Sequence, residues 1–285
     1  MISGINGFLG SHLAKELKSN FDILGLEYSL NNLFRIESEN FNIYDTSNSS
    51  LEKVFIEHDI YAILHVATIY RRDLEPMSDI LSTNILLPVN LLDLSNKHGV
   101  SLFLNTDSFF NNPSFLYSYL SDYTLSKKHC LEWIKLISGS SSCKVINMKI
   151  FHMFGENDSP AKFIPSLINA LSKDELVIDM TPGMQTRDFI YINDVVSAFE
   201  VVLNNEDRLT NYQEYEVGTG ESFSIKHIAE LIKKQTNSKT KLNFGSIPYR
   251  EGEIMESVSN NNGLLKLGWS VKFNLSDGLA KVINF

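Results

Sequence analysis

The chain has 285 residues, enough for a sizeable core. With 43% hydrophobic and 21% charged residues it has the composition of an ordinary soluble globular protein. A formal net charge of -9 argues against nucleic-acid binding through a general field, and any anionic ligand must find local cations.

The glycine cluster begins at residue 4 with no signal peptide before it, and no apolar run is long enough to span a bilayer. The expectation is a cytoplasmic protein without a membrane partner. Cys130 and Cys143 show neither CxxC nor Cys/His ligand spacing. They read as buried thiols in a reducing compartment, with no disulfide and no metal site.

In chain order, Ser3-Gly4-Ile5-Asn6-Gly7-Phe8-Leu9-Gly10 reads GxxGxxG and opens the amphipathic helix SHLAKELKS (11–19). Glycines let backbone amides approach a pyrophosphate, and the helix N-terminus favours the anion. The plainer reading is a tight turn; its place at the first βα turn favours a dinucleotide. Only Met1-Ile2-Ser3 precede Gly4, so the first strand is either abbreviated or missing its start. FDILGL (21–26) is a strand ending at Glu27, whose carboxylate would bind the ribose of NAD and repel the 2′-phosphate of NADP. Arg35 would serve NADP instead, which leaves the cofactor open.

Next come the helix SLEKVFIEH (50–58), the strand YAILHVA (61–67) and a helix over 80–99 that Pro88 should kink. The strand SLFLNT (101–106), the helix 121–137 and the strand CKVINMKI (143–150) follow. Alternating strands and helices imply βαβ units and a parallel sheet. The second half is less regular: a Pro-punctuated loop becoming a helix over 157–171, a strand RDFIYI (187–192), a helix capped by Asn193, a strand and turn EYEVGTG (214–220), and a helix from Ser224. The expected fold is an α/β doubly wound parallel sheet (Rossmann) with a smaller C-terminal substrate-binding lobe. The dinucleotide-binding part spans 1–151 and is rejoined by about 187–213; the lobe takes 152–186 and 214–285.

Tyr123-Thr124-Leu125-Ser126-Lys127 lies in the helix 121–137, so Tyr123 and Lys127 share a face. A phenol titrates at about 10, and a nearby ammonium would lower that and make Tyr123 a usable acid or base. Thr106, ending its strand, is the second donor that would orient a carbonyl. The plainer alternative is an exposed helical pair.

GxxGxxG, HVAT (65–68), Asn84, NTDS (105–108), YxxxK, RDFIYINDVV (187–196) and VGTG (217–220) occur in the order of the extended short-chain dehydrogenase/reductases, the NAD-dependent epimerase/dehydratase family. The resemblance covers essentially the whole chain. More narrowly, FLNTDSFF (103–110), KFIP (162–165), QTRDFIYINDVV (185–196), YEVGTG (215–220) and EIMESVSNN (253–261) resemble the CDP-abequose synthase family. That resemblance implies reduction of CDP-4-keto-3,6-dideoxy-D-glucose at carbon 4 with NADPH, in O-antigen (lipopolysaccharide) synthesis, NADH remaining open. It implies catalysis by Thr106, Tyr123 and Lys127. Cofactor contacts would come from Gly4, Gly7, Phe8, Leu9, Gly10, Glu27, Ala67, Asn84, Tyr123 and Lys127.

Related dehydratases carry Thr-Asp-Glu after the active strand; here the trio is Thr106-Asp107-Ser108, without the acid–base Glu. Simple ketone reduction does not need it. Substrate contacts are expected from Asp107, Ser108, His152, Lys162, Arg187 and Arg250, the arginines and the lysine supplying cations for a diphosphate. Each of those cations could instead form a surface ion pair. The partners implied are a nucleotide sugar and a second copy of the chain, packed through helices matching 80–99 and 121–137. Three alternatives stand beside this reading: a 4-epimerase with retained NAD+, a paratose-forming reductase, and a non-catalytic dinucleotide sensor.

Overall fold

The computed structural model describes residues 1–46, 50–70, 75–112 and 120–285. The chain opens with β1 (Ile2–Ser3), α1 (Phe8–Leu17), β2 (Leu24–Glu27), β3 (Asn42–Asp45), α2 (Leu51–Glu57) and β4 (Ala62–His65). It continues with α3 (Met77–Leu81), a π-helical turn (Ser82–Leu86), α4 (Leu87–His98), β5 (Leu102–Ser108), α5 (Ser121–Ser138) and β6 (Lys144–Ile150). Then follow β7 (His152–Phe154), α6 (Phe163–Ser172), β8 (Val177–Met180), β9 (Thr186–Arg187), β10 (Phe189–Tyr191) and α7 (Ile192–Leu203). The remaining elements are β11 (Tyr212–Val217), β12 (Phe223–Ser224), α8 (Ile225–Gln235), β13 (Lys241–Phe244), α9 (Asn262–Lys266) and α10 (Leu275–Ile283).

Seven strands form one sheet in the order β3-β2-β1-β4-β5-β6-β11. β1 pairs in parallel with both β2 and β4, and the β2–β3 and β4–β5 pairings are parallel too. This is the expected doubly wound fold. The strand order reverses at β1, and such a switch point opens a crevice at the carboxyl ends of the strands. β1 is as short as the sequence requires, yet it is central and buried. Its ladder is extended by Gly4 N–H to the Leu26 carbonyl (2.8 Å) and Val66 N–H to the Ser3 carbonyl (3.3 Å).

The described residues within Met1–Pro113, Tyr119–Lys149 and Ala198–Tyr215 form one compact unit; those within Ile150–Ser197 and Glu216–Phe285 form a second. The return to the first unit is therefore Ala198–Tyr215, where the sequence suggests 187–213. The reason is strand pairing: β9 joins β12 and β10 joins β7, all outside the large sheet. α7 begins at Ile192, so Asn193 lies inside the helix rather than capping it.

The core of the first unit packs Leu26, Phe103, Leu91, Ile134 and Val145 together with both cysteines. The cysteines are free, and burial pushes the Cys130 thiol up to about 11 and that of Cys143 to about 12. The expected break near Pro88 falls one turn earlier: residues 82–86 form the π turn, and Pro88 sits in the first turn of α4.

β5 is buried along its whole length, including the polar run Asn105-Thr106-Asp107-Ser108. Buried polar groups need partners, and the partners of this run hold it as strand. In the second unit, Asp188 is fully buried. Its carboxylate accepts from Thr219 N–H (2.8 Å), Gly220 N–H (3.1 Å) and Ser259 N–H (3.1 Å), and from the Thr219 and Ser259 hydroxyls. One carboxylate thus ties together the RDF, VGTG and SVS segments. Among the described residues no helix is long and apolar enough to cross a membrane.

Candidate active site

The glycine turn leaves room for nothing but backbone. A Cβ on Gly10 would lie 2.1 Å from the Gly4 carbonyl oxygen, and one on Gly4 would lie 2.8 Å from Ala67 Cα. Gly4 also has φ of 71°, which a side chain would strain. Gly7 is the N-cap of α1, with no side chain capping it and no acidic residue in the first turn. A bare cradle at an uncapped, positive helix end fits a pyrophosphate. Leu9 is buried against the core, and Phe8 packs edge-on to His12. Glu27, at the end of β2, accepts from Asn6 N–H (2.9 Å) and Tyr28 N–H (3.2 Å). Arg35 donates to the Asn6 carbonyl (3.3 Å) and lies over the Phe34 ring. Both groups expected to read the ribose therefore border the glycine turn.

From Ala67 a continuous path leads to the tyrosine. Asn84, in the π turn, accepts from Ile69 N–H (2.8 Å) and the Thr68 hydroxyl (3.2 Å). It donates to the Ile69 carbonyl (2.9 Å) and the Ser126 hydroxyl (2.9 Å). Its amide is fully used, and Asn84 anchors the loop after β4 to α5. π turns of this kind recur at functional sites.

Tyr123 and Lys127 are both buried on α5, beside the carboxyl end of β5. The Lys127 ammonium donates to the Thr106 carbonyl at 2.8 Å and lies 6.0 Å from the centre of the Tyr123 ring. Burial and the neighbouring Tyr70 hold the Tyr123 phenol well above its ordinary range, while a hydrogen bond from Ser108 works the other way. The expected lowering by Lys127 is thus outweighed, because the phenol is desolvated and the ammonium is bound to the strand end. The Thr106 hydroxyl donates to the His65 carbonyl (3.0 Å).

Asp107 faces a polar network. It accepts from Ser108 N–H (2.7 Å), Asn147 (3.0 Å) and Asn111 (3.2 Å), and burial pushes its carboxyl up. Asn147 in turn accepts from Asn105 (2.7 Å). Asp107 and its partners brace the end of β5.

The second unit gathers most of the expected anion ligands. Arg187 is buried, donates to the Thr186 carbonyl (2.8 Å) and forms an ion pair with Glu253. The Glu253 N–H bonds the Arg250 carbonyl (3.2 Å), so the Arg250 turn positions Glu253; the Arg250 side chain itself is exposed. Lys162 pairs with Asp158 at 2.8 Å. Burial, Arg187 and Lys162 together lower the His152 imidazole to about 3, keeping it neutral. Buried oxygens of Asp158, Gln185 and Ser257 have no hydrogen-bond partner within the described residues. Such orphans beside a guanidinium suit a polar ligand.

Tyr70, Asn147, Asp188 and Glu253 were not singled out by sequence reasoning. Asp188 and Glu253 lie inside motifs recognised there. Tyr70 follows HVAT closely, but no local spacing ties it to Tyr123.

The sequence model of the NAD dependent epimerase/dehydratase family matches residues 1–218. CDP-abequose synthase of Salmonella muenchen is 37% identical, over 100% of this chain and 96% of its own. CDP-abequose synthase of Salmonella typhimurium is 32% identical, over 99% and 96%. Among solved structures, UDP-glucuronic acid 4-epimerase of Bacillus cereus, in complex with UDP-glucuronic acid and NAD, superposes with a TM-score of 0.84. At 23% identity, covering 99% of this chain and 97% of that one, it shares the fold.

Proposed function

The chain belongs to the NAD-dependent epimerase/dehydratase family, and from that premise we propose that it reduces the 4-keto group of a nucleotide-linked deoxysugar, CDP-4-keto-3,6-dideoxy-D-glucose, to CDP-abequose for O-antigen synthesis. The full-length similarity to the two Salmonella enzymes supports this substrate. One arrangement supports the reaction type: Tyr123 and Lys127 are both buried on α5, with the ammonium 6.0 Å from the centre of the phenol ring. A protonated phenol is the acid that ketone reduction requires.

A reduced nicotinamide held at the glycine turn would supply the hydride. The glycine turn holds the pyrophosphate by backbone alone. Tyr123 delivers its proton to the ketone oxygen, with the Ser108 hydroxyl beside it. Thr106 joins that pair when its hydroxyl leaves the His65 carbonyl. Lys127 fixes the end of β5 through the Thr106 carbonyl. Arg187, His152 and Lys162 hold the sugar diphosphate, with Arg250 at the edge of that group; Glu253 and Asp158 are counter-ions that an anionic ligand replaces.

NADPH is the proposed donor, with Arg35 meeting the 2′-phosphate. NADH is the second reading, favoured by the Glu27 carboxylate beside the same turn. A homodimer is supported by exposed apolar residues on α5 (Leu125, Trp133, Leu136) and on the preceding helical stretch (Leu81, Leu86). The test is incubation with CDP-4-keto-3,6-dideoxy-D-glucose and each reduced dinucleotide, with product NMR. Reduction giving the abequose configuration at carbon 4 supports the proposal; the opposite configuration assigns a paratose-forming enzyme, and no conversion rejects the substrate.

A further inference from the structure

We propose that His65 is a positioning residue of the active site: through Ser3 it sets the place of the glycine turn against the strand end that carries Thr106. This rests on the ketone-reduction reading and deepens it.

The turn and the strand end belong to different strands. Gly4 follows directly on β1, and Thr106 lies toward the carboxyl end of β5. β4 runs between the two strands, and His65 is its last residue. His65 is in register with Ser3 on one side and with Asn105 on the other. The residues that follow these partners are Gly4 and Thr106. His65 is thus placed one step before both groups.

Its bonds run to both sides. The imidazole Nδ1 and the Ser3 hydroxyl share a hydrogen bond of 2.8 Å. The His65 carbonyl accepts from the Thr106 hydroxyl (3.0 Å), and the Thr106 carbonyl accepts from Lys127 (2.8 Å). Two residues past His65, the Ala67 backbone lies so close to Gly4 that a Cβ there would have no room. The ring itself stacks on Phe103 of β5, with centroids 6.4 Å apart and an interplanar angle of 18°. A contiguous set of contacts therefore joins the glycine turn to Thr106 and Lys127.

Stability alone does not account for an imidazole at this place. Ser3 and His65 are fully buried, and Ala62, Ile63 and Leu64 before His65 are apolar. The His65 Nε2 has no hydrogen-bond partner among the described residues. An unpaired buried polar atom costs stability that an apolar side chain would not. What the imidazole adds is a specific link to β1, whose two residues carry too little side-chain pattern to fix a register. Precise placement matters for hydride transfer: a shift of about 1 Å, made far from the chemistry, can cost on the order of 100-fold in rate.

Ser3→Ala deletes the hydroxyl, and His65→Phe keeps a ring while deleting Nδ1. Each single variant leaves one buried polar atom without its partner, and the double variant removes both. Urea denaturation is expected to show a loss in each single variant that the double variant largely recovers. With substrate and reduced dinucleotide, kcat should fall on the order of ten-fold in all three, the double included. Dinucleotide affinity, measured by calorimetry, should hold, because the glycine turn itself is intact. In cofactor-free protein labelled at threonine methyls, the Thr106 resonance is assigned by its loss in Thr106→Val. Ser3→Ala is expected to shift that resonance, although β4 separates the two residues. This variant, one oxygen smaller, carries the test where a His65 variant does not fold. A kcat that recovers together with stability, a loss confined to dinucleotide binding, or an unmoved Thr106 resonance overturns the proposal. If wild-type protein reduces no ketone while the resonance still moves, the functional reading fails and the link from Ser3 to Thr106 stands.

Discussion

The Ser108 hydroxyl works against the burial that raises the Tyr123 phenol. Thr106, on the same face of β5, gives its hydroxyl to the His65 carbonyl instead. The two hydroxyls are therefore not equivalent, although strand periodicity alone would not separate them. Ser108→Ala should lower kcat by about 100-fold, the range of a lost donor at a developing alkoxide. Thr106→Val should cost about ten-fold or less, mainly through the seating of the strand end. Steady-state kinetics on both variants check this; a larger loss at Thr106 would return the orienting role to it.

The glycine turn makes a steric prediction. Gly10→Ala puts a methyl 2.1 Å from the Gly4 carbonyl oxygen, a backbone atom that has no rotamer to escape into. The turn must open, at about 1–3 kcal/mol for overpacking. Dinucleotide binding, measured by calorimetry or fluorescence, should be lost even where the variant folds.

Much of this was legible in the sequence, and the reasons differ by element. Alternating apolar runs and helical periods point to the sheet, because its strands β4 and β5 are buried on both faces. Tyr123 and Lys127 were readable because one helical turn brings them together. The partners of Tyr123 were not. Tyr70 reaches it through tertiary packing of a loop, and Ser108 was read as a substrate contact because its neighbours could not be seen. β5 ran two residues beyond its apolar segment because Asp107 and Ser108 look like loop until their buried partners are known. Asn84 was legible as important, but its satisfied amide makes it an anchor. The bounds of the return segment, Ala198–Tyr215, are not legible, because the short pairings of β9 and β10 leave no periodic signal.

Asp188 is a structural clamp, and its removal should be felt as stability. Asp188→Ala orphans the N–H groups of Thr219, Gly220 and Ser259 in a buried site. The expected loss is at least about 3 kcal/mol, from unsatisfied donors. Urea denaturation checks it; a loss within about 0.5 kcal/mol, the range of neutral surface changes, would contradict the clamp.

His65, which is buried, and His152, which is half-buried, contribute to the acid limb of stability. Burial keeps His65 well below its ordinary value of 6.5, and His152 is lowered to about 3. In both, the folded pKa lies below the unfolded one, so the unfolded chain binds the proton that the native chain refuses. Stability is therefore intact above pH 6.5 and declines as pH falls from there toward 3. His152→Asn should flatten that decline, measured as the pH dependence of the unfolding free energy. An unchanged slope would mean that His152 protonates freely in the folded protein.

The most direct measurement of the central claim is the stoichiometry of cofactor use. Protein in catalytic amount is given CDP-4-keto-3,6-dideoxy-D-glucose and excess NADPH, and the loss of reduced-nicotinamide absorbance is compared with product formed. The account predicts one reduced dinucleotide consumed for each sugar converted, with the rate abolished in Tyr123→Phe. Conversion of sugar with no net loss of reduced dinucleotide would contradict it and identify an isomerising enzyme instead.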